Sequence, residues 1–556
     1  FMGGIVGKFF FPFGIVVAFA VAVSLFVSFT LDPMLSAVWP DPEHEKSSDG
    51  HVHYKGRNPI MRSVEAFGRM LDRWEILYKV AIEWALNHRK TVMAIGVGSF
   101  VLAMGLSGLL GNNFMPDYDR GDLLVTFKAE PGSSLAATRE RALALETGIQ
   151  AVPGVDFTYT TIGTGLNGTV DAGSIYVKLK EGRRPSQVVI RRQIREGFRS
   201  VPGVDAAVGA VNDFGTTYPI MVAVQAPDRD AVIQAVPLVK EALRSVPGAV
   251  DVTTSLDSGK PELKLVIDRK AASDLGVSPA LVAQMVRPLV DGEKVAKYED
   301  EKGEQRDVRV RLADQERQFT AQLANMTMES TKDLGGGKHP LVRLNQVVRF
   351  EEGIAPAKLQ RHDLMEEVEV DANFEGSTLG EVSAGAAAKV AALKASGKLP
   401  EDVRVEFLGQ TRDSKETAGY MGTSLLLAVF FIYFVLASQF ESFKLPVAIM
   451  ASLPLSMVGM VLMLLVTGDS MSMMTSIGMI LLMGLVTKNA ILLVDHALHL
   501  EREEGISRRQ AIIRAGTVRL RPILMTSFAM VGGMLPLFLA LGAGAEMRAP
   551  MARAVV

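Results

Sequence analysis

Two kinds of hydrophobic pattern divide the chain. Unbroken apolar runs cover Phe9–Leu31, Thr91–Leu110, Ala418–Ser438, Leu445–Thr467, Met471–Leu500 and Pro522–Leu541. A hydrocarbon core of roughly 30 Å needs about 20 apolar residues in a helix, so these runs predict six transmembrane helices. The first run carries one early proline and no charge, unlike the shorter apolar core and basic leader of a signal peptide. Between the first two runs, Ile60, Val64, Phe67, Leu71, Trp74, Tyr78, Ala81 and Ala85 recur at three- and four-residue steps. Arg62, Glu65, Arg69, Asp72, Arg73 and Lys79 take the other faces. This predicts an amphipathic helix lying along the bilayer surface. The polar stretch before it holds His44, His51 and His53 and reads as a solvated loop.

From Gly111 to Glu416 the pattern alternates between polar and apolar, and it repeats. An amphipathic helix, then Val-Pro-Gly, then an alternating strand occurs three times, at Val152-Pro153-Gly154, Val201-Pro202-Gly203 and Val246-Pro247-Gly248. A variant copy runs through Thr378–Ser396, Leu399-Pro400 and Val403–Phe407. Proline and glycine stop each helix and turn the chain into the strand. Strands at Leu123–Ala129, Ile175–Lys180, Ile220–Gln225 and Glu367–Asp371 precede the four helices. Four strand–helix–strand units make two split βαβ sandwiches of the ferredoxin-like kind. Ser255–Ala355 separates the last two units and has strands of its own, such as Leu263–Ile267 and Val308–Arg311. The predicted fold class is a polytopic α-helical membrane protein with a large α+β extracytoplasmic domain, made of two such sandwiches and an inserted subdomain.

Composition agrees: of 556 residues 48% are hydrophobic, yet 22% are charged. A net charge of −2 argues against a nucleic-acid partner. The absence of cysteine excludes disulfides and thiolate metal sites. Charge also predicts sidedness. Arg502, Arg508, Arg509, Arg514, Arg519 and Arg521 gather in the expected loop after the Met471–Leu500 span, and basic residues recur from Lys46 to Lys90. Both stretches are then cytoplasmic, which leaves the sandwiches on the opposite side.

Little in the chain looks like a catalytic or nucleotide site. Gly163-Thr164-Gly165-Leu166-Asn167-Gly168 fits a dinucleotide pattern but leads to a strand rather than to a helix N-terminus. Gly335-Gly336-Gly337-Lys338-His339 lacks the spacing of a phosphate loop. No cofactor and no metal site is expected. Lys488 is different, because it lies inside an apolar span with two turns or more of apolar residues on either side. A charge at the bilayer centre costs about 2.5–3.5 kcal/mol on insertion scales and normally faces a partner or a water path. Asp495 is seven residues on, roughly the same face, and Asn489 adjoins the lysine. Thr526, Ser527 and Arg519 bring polar groups to the following span.

The stretch Gly484-Leu-Val-Thr-Lys488-Asn489-Ala-Ile-Leu-Leu-Val, with Arg519-Leu-Arg521-Pro522-Ile-Leu-Met-Thr526-Ser527, resembles the proton-driven RND exporters of the hydrophobe/amphiphile branch. Phe114-Met-Pro116-Asp-Tyr-Asp119-Arg-Gly121, Phe440-Glu441-Ser442 and Thr30-Leu-Asp-Pro33 are similar to the family's segments at the same places. The resemblance implies a secondary active transporter rather than an enzyme. It implies a chain running from just before the sixth of twelve spans to beyond the eleventh. It also implies a proton relay of Lys488 and Asn489 supported by Thr526 and Arg519, whose acidic partners lie on a span not in this sequence. A homotrimer in a bacterial inner membrane follows, taking small amphiphilic substrates and working with protons, a periplasmic adaptor and an outer-membrane channel. Under that reading 1–31 and 91–110 are spans flanking a cytoplasmic loop at 32–90. Residues 111–213 form a first porter subdomain, and 214–254 with 356–416 form a second. Residues 255–355 are the docking or funnel insert, 417–541 four spans, and 542–556 the start of a further loop or helix.

Multidrug members often carry several phenylalanines in the loop corresponding to Thr161–Gly173. Here it holds Leu166 as its large apolar residue beyond Ile162, and Tyr159 and Tyr176 flank it as candidate pocket residues. Heavy-metal or lipid export is the alternative within transport, and a membrane scaffold for protein partners the alternative outside it. The chain has 27 methionines, but Met221, Met285, Met326, Met328 and Met365 are scattered along the extramembrane part.

Overall fold

A computed structural model describes residues 3–556 except 40–44, 47–51, 54–58, 117, 164–168, 183, 199–200, 212–217, 258, 302, 318, 334–336, 338, 356–358 and 543. His44 and His51 therefore lie outside the described residues. The chain opens with α1 (Gly4–Val38), the short pair β1 (Glu45–Lys46) and β2 (Val52–His53), α2 (Pro59–Asn87) and α3 (Arg89–Ser107). The first sandwich follows as β3 (Asp122–Ala129), α4 (Leu135–Gln150), β4 (Val155–Ile162), β5 (Ala172–Leu179), α5 (Gln187–Phe198) and β6 (Val204–Ala210). The second begins with β7 (Ile220–Ala226), α6 (Arg229–Arg244) and β8 (Ala249–Thr254).

The insert holds β9 (Lys260–Ile267), α7 (Arg269–Asp274), α8 (Pro279–Val290), β10 (Glu293–Glu299), β11 (Gln305–Val310), α9 (Thr320–Ala324), β12 (Thr327–Glu329), β13 (Leu341–Arg343) and β14 (Val348–Ala355). The second sandwich then resumes with β15 (Gln360–His362), β16 (Met365–Phe374), α10 (Leu379–Ala395) and β17 (Arg404–Leu408). Last come α11 (Gly409–Phe440), α12 (Leu445–Met450), α13 (Ser452–Thr467), α14 (Met473–Glu503), α15 (Arg508–Phe538) and α16 (Ala545–Val555).

The repeat in the sequence is a repeat in topology. The first sheet has the order β4-β5-β3-β6, and the second has β17, β7, β16 and β8 in the equivalent order, all antiparallel. Each is the ferredoxin-like arrangement. Gly154, Gly203 and Gly248 take φ of 103°, 73° and 86°, the left-handed region that a Cβ disfavours, so in each Val-Pro-Gly the glycine makes the turn from the finished helix into the next strand. In the first sandwich, alternate residues Leu123, Val125 and Phe127 of β3 and Ile175, Val177 and Leu179 of β5 are buried. They pack against Leu145 and Ile149 of α4 and Ile190 and Ile194 of α5.

The second core is larger. Ile220, Val222 and Val224 of β7 pack with Val236, Val239 and Leu243 of α6 and Val382 of α10, and the same cluster takes in Val6, Phe114, Met473, Met474 and Ile477. The apolar core of this sandwich thus runs without a break into the ends of α1 and α14. The insert has a separate core, where Met328 is buried and Met285 and Met326 pack against Val282, Leu344 and Val348. Met285, Met326 and Met328 thus meet there as filling among aliphatic side chains.

Six helices among the described residues are long and apolar enough to cross a membrane, with α12 and α13 counting as one span. α14 packs against α13, α15 and α16, while α15 also packs along α2. A Cβ on Gly478 would meet the Met551 carbonyl oxygen at 2.7 Å, which is why α14 and α16 cross so closely.

Three expectations are revised. α1 continues past Leu31 to Val38, with Pro33 inside it. The arginines from Arg508 to Arg521 form the first turns of α15 instead of a loop, and Pro522 lies within that helix. Arginine is a good helix former, and Glu501 and Glu504 at the end of α14 pair with Arg508 (3.1 Å) and Arg514 to offset the positive charge at a helix N-terminus. α2, finally, does more than offer an apolar face to lipid, because it docks along the basic half of α15. Arg521 pairs with Asp72 and, at 3.5 Å, with Glu75, and Arg509 donates to Asn87 Oδ1 at 2.6 Å. The rings of Phe67 and Trp74 each lie 6.4 Å from that of Phe528.

Gly516 lets these helices touch, since a Cβ there would run into Ile82 and approach the Tyr78 ring to 3.2 Å. Gly516→Ala is met by a turn of the Ile82 side chain and changes stability little. Gly516→Leu drives α2 off α15 at a cost of roughly 1–3 kcal/mol. Limited proteolysis of detergent-solubilised protein checks this, with cleavage in α2 accelerated in the leucine variant alone.

Candidate functional site

Lys488 stands near the middle of α14. The helix is started by a capping box, in which the Thr475 N–H donates to Ser472 Oγ at 3.3 Å and the Ser472 N–H donates to Thr475 Oγ1 at 2.7 Å. One residue before the lysine, Thr487 is buried and its hydroxyl donates to the Met483 and Gly484 carbonyls at 3.2 and 2.9 Å. That leaves Lys488 on an exposed face, where it has no hydrogen bond or ion pair among the described residues. Asn489 beside it is half-buried. Asp495 is also exposed, but seven residues at 1.5 Å each place it roughly 10 Å along the axis, so the two charges share a side without pairing.

On α15, the Thr526 hydroxyl turns back to its own helix, donating to the Ile523 carbonyl at 3.0 Å, and the residue is exposed. Arg519 is half-buried with Nε enclosed and lacking a hydrogen-bond acceptor among the described residues. Its charge acts on His496 of α14, as do those of Asp495 and Arg514. The structure therefore brings Arg519 to the α14–α15 seam, and it does not join Lys488, Asn489 and Thr526 into one bonded cluster. His496 is the member that sequence reasoning missed. A second ionisable side chain next to Asp495 in the same apolar run was the available signal.

In the first sandwich, Tyr159 of β4 and Tyr176 of β5 are direct cross-strand partners. They lie on the face of the sheet turned away from α4 and α5, since Ile175 and Val177 on either side of Tyr176 are buried in the core. Tyr159 is 66% exposed, and Phe157 adds a third ring 6.3 Å from that of Tyr176. The Tyr176 hydroxyl donates to Asp122 Oδ2 at 3.3 Å. Burial and that carboxylate push its pKa up, so it stays a neutral donor. Leu166 lies outside the described residues. Tyr218 shares a hydrogen bond with Thr126 on the same sheet. Burial, reinforced by Asp371, Asp205 and Asp251, pushes its pKa to about 12 against the pull of that bond.

A largely buried ion pair ties the sandwiches together. Arg195 of α5 forks onto Asp251 of β8, Nε to Oδ1 at 2.9 Å and Nη2 to Oδ2 at 3.0 Å, and also pairs with Glu375. Asn373 donates to Asp251 Oδ2 at 3.0 Å, and Arg192 reaches Glu375 Oε1 at 3.0 Å. Asp251 takes φ 53° beside a shift in the β8–β16 register, a local irregularity of the kind that re-aims a side chain out of a ladder. A second tie fastens the linker from α3. The Asp119 carboxylate accepts from Arg184 Nη2 at 2.6 Å and from the Gly121 N–H at 2.9 Å, and the Asp119 N–H donates to Glu546 Oε2 at 2.8 Å. Burial alone would raise the Asp119 pKa, but Arg184 and the backbone N–H groups together hold it below the ordinary value.

This combination of membrane helices and twin ferredoxin-like sandwiches with an insert is the RND transporter fold. The AcrB/AcrD/AcrF family model matches residues 1–556, and the chain belongs to that family, making it a multi-pass membrane protein. Two crystal structures of a heavy metal efflux pump share the fold, with a TM-score of 0.75 each and sequence identities of 22% and 23%. Each is matched over 88% of this chain and 50% of its own, so the chain spans about half the length of these proteins.

Two outcomes follow from the ties. Arg195→Ala strands a buried Asp251, and breaking such a pair costs about 3–5 kcal/mol. Adding Asp251→Ala recovers part of that loss, which a double-mutant cycle on thermal unfolding measures. Asp119 stabilises the fold at pH values above its ordinary pKa of about 3.9, and loses that effect as pH falls through its lower folded pKa. Asp119→Asn therefore unfolds earlier than wild type at pH 7, by an amount worth roughly 1 kcal/mol. The two melting curves converge as the pH is taken below 4.

Proposed function

We propose that this chain is the second-half portion of a proton-motive-force-driven exporter of amphiphilic compounds in a bacterial inner membrane. The observation carrying this reading is Lys488, at mid-span on an exposed face of α14 and in no hydrogen bond or ion pair among the described residues. An amine in that position needs a carboxylate from a neighbouring span, and in this reading the partner comes from the half of the transporter outside this chain. With the carboxylate ionised, Lys488 is held across the interface. Protonation cancels the pair and lets α14 shift. One charge crossing roughly 100 mV releases about 2.3 kcal/mol, enough to bias a two-state element appreciably. Asn489 supplies a polar neighbour to the amine, while Arg519 and Thr526 extend the polar path along α15.

The basic residues between Lys46 and Lys90 and along the first half of α15 favour the cytoplasmic side and leave the sandwiches in the periplasm. There the open face carrying Phe157, Tyr159 and Tyr176 offers flat apolar area with hydroxyl handles, chemistry suited to amphiphiles. In this reading the protein works as a homotrimer with a periplasmic adaptor and an outer-membrane channel. The heavy metal pump whose fold it shares raises metal export as a second reading. For soft ions such as copper(I) or silver that reading calls for thioether ligands, and Met285, Met326 and Met328 are taken up by the core of the insert.

The test uses the full-length transporter. Lys488→Met, of similar volume and without charge, lowers efflux of dyes and antibiotics to background while leaving protein level and melting temperature near wild type. Undiminished efflux from the folded variant would sink the relay. Transport of copper, silver or zinc ions in place of organic cations would move the assignment to metal export.

A further inference from the structure

We infer that Asn113 is the joint through which the lysine helix moves the second sandwich. This rests on reading Lys488 as the driven charge. The four residues Gly111 to Phe114, between α3 and β3, are bonded on one side to the entry of α14. The Met471 N–H donates to the Gly111 carbonyl at 2.8 Å, the Asn113 N–H to the Met471 carbonyl at 2.9 Å, and the Met473 N–H to the Phe114 carbonyl at 3.2 Å. On the other side they receive the first turn of α10, where the Gly380 N–H donates to the Asn112 carbonyl at 2.8 Å.

The Asn113 side chain spans both sides. Its Oδ1 accepts from the Leu379 N–H at 2.9 Å, and its Nδ2 donates to Ser470 Oγ at 3.1 Å. Helix N-termini leave N–H groups without intrahelical acceptors, so Leu379 and Gly380 have a real need for these partners. A primary amide accepts through its oxygen and donates through its nitrogen, so one short side chain holds both partners from separate atoms. Asn113 is 8% exposed, so water does not readily replace either bond.

Packing makes the joint stiff on both flanks. A Cβ on Gly111 would overlap the Thr378 side chain, and one on Gly380 would come within 2.9 Å of Asn112 Cβ. Phe114 is buried among Met473, Met474 and Ile477. Beside the joint, however, lies a polar cavity of about 600 Å³ lined by Asn113, Thr378, Glu381, Asp469, Glu546 and Arg553. Lys488 is fifteen residues from the start of α14, roughly 22 Å along a rigid rod. A shift of that rod reaches Asn113 directly, is passed to α10, and has the cavity to move into. Asn113 is a positioning residue, since it touches neither the proton path nor the aromatic face.

The experiment places the full-length transporter in proteoliposomes and records dye efflux and proton flux together. Asn113→Ala lowers efflux about tenfold, the scale of leaving a buried donor without its acceptor. Proton flux continues but ceases to rise when dye is added. Asn113→Leu, of similar reach and without hydrogen-bonding groups, removes both bonds and gives a loss of the same kind. Ser470→Ala, which leaves the α10 side intact, reproduces it and decides the matter if the Asn113 variants do not fold. Substrate-stimulated proton flux and efflux within twofold of wild type in Ser470→Ala and in any folded Asn113 variant would overturn the joint. So would loss of both fluxes together in a folded variant. A Lys488→Met control that retains proton flux instead overturns the relay itself.

Discussion

The core of the second sandwich does not stop at the membrane boundary. Phe114, Met473, Met474 and Ile477 belong to the same packed cluster as Ile220, Val222 and Val382. Close-packed interiors transmit displacement because they have little free volume to absorb it. α14 therefore cannot slide or tilt without dragging on β7 and α10. Most other features of the chain take their meaning from that continuity. Gly111 and Gly380 lack side chains so that backbones can approach at the junction, and Asn113 places a two-way hydrogen-bonding group where two helix entries meet.

The first sandwich is joined less intimately. It has its own core under α4 and α5, and its attachments are polar, through Arg195 to Asp251 and Glu375 and through Arg184 to Asp119. Removing charges from water is costly, and a bidentate guanidinium–carboxylate pair offsets that cost only in one geometry. The two sandwiches thus share a topology and differ in how they are held. One is joined to the helices by apolar packing, and the other is held by directional polar contacts.

Within the membrane, the distribution of charge follows local helix physics. Arg508 lies at the N-terminus of α15, where cations are unfavourable, and Glu501 near the end of α14 compensates it, while Asp72 and Glu75 of α2 pair with Arg521 farther along the helix. Lys488 lacks that kind of compensation among the described residues. It stands on an exposed face of α14, with no hydrogen bond or ion pair among the described residues.

The Val-Pro-Gly repeats and the alternating strands were enough to read two ferredoxin-like sandwiches from the sequence, because helix stops and two-residue alternation are local properties of the chain. The six apolar runs and the isolated Lys488 were legible for the same reason, since hydrophobic length and an intruding charge need no partner to be seen. The Lys488 and Arg519 motifs also carried the resemblance to the family. What the sequence could not show was contact at long separation. Hydropathy marked Arg508–Arg521 as a loop, whereas pairing with Glu501, Glu504, Asp72 and Glu75 makes it helix. Asn113 and Leu379 are 266 residues apart, and Arg195 and Asp251 are 56 apart. Nothing in the local pattern of either partner announces the other. Periodicity determines which faces must be buried, and only the packed tertiary structure decides which polar groups end up sharing a hydrogen bond.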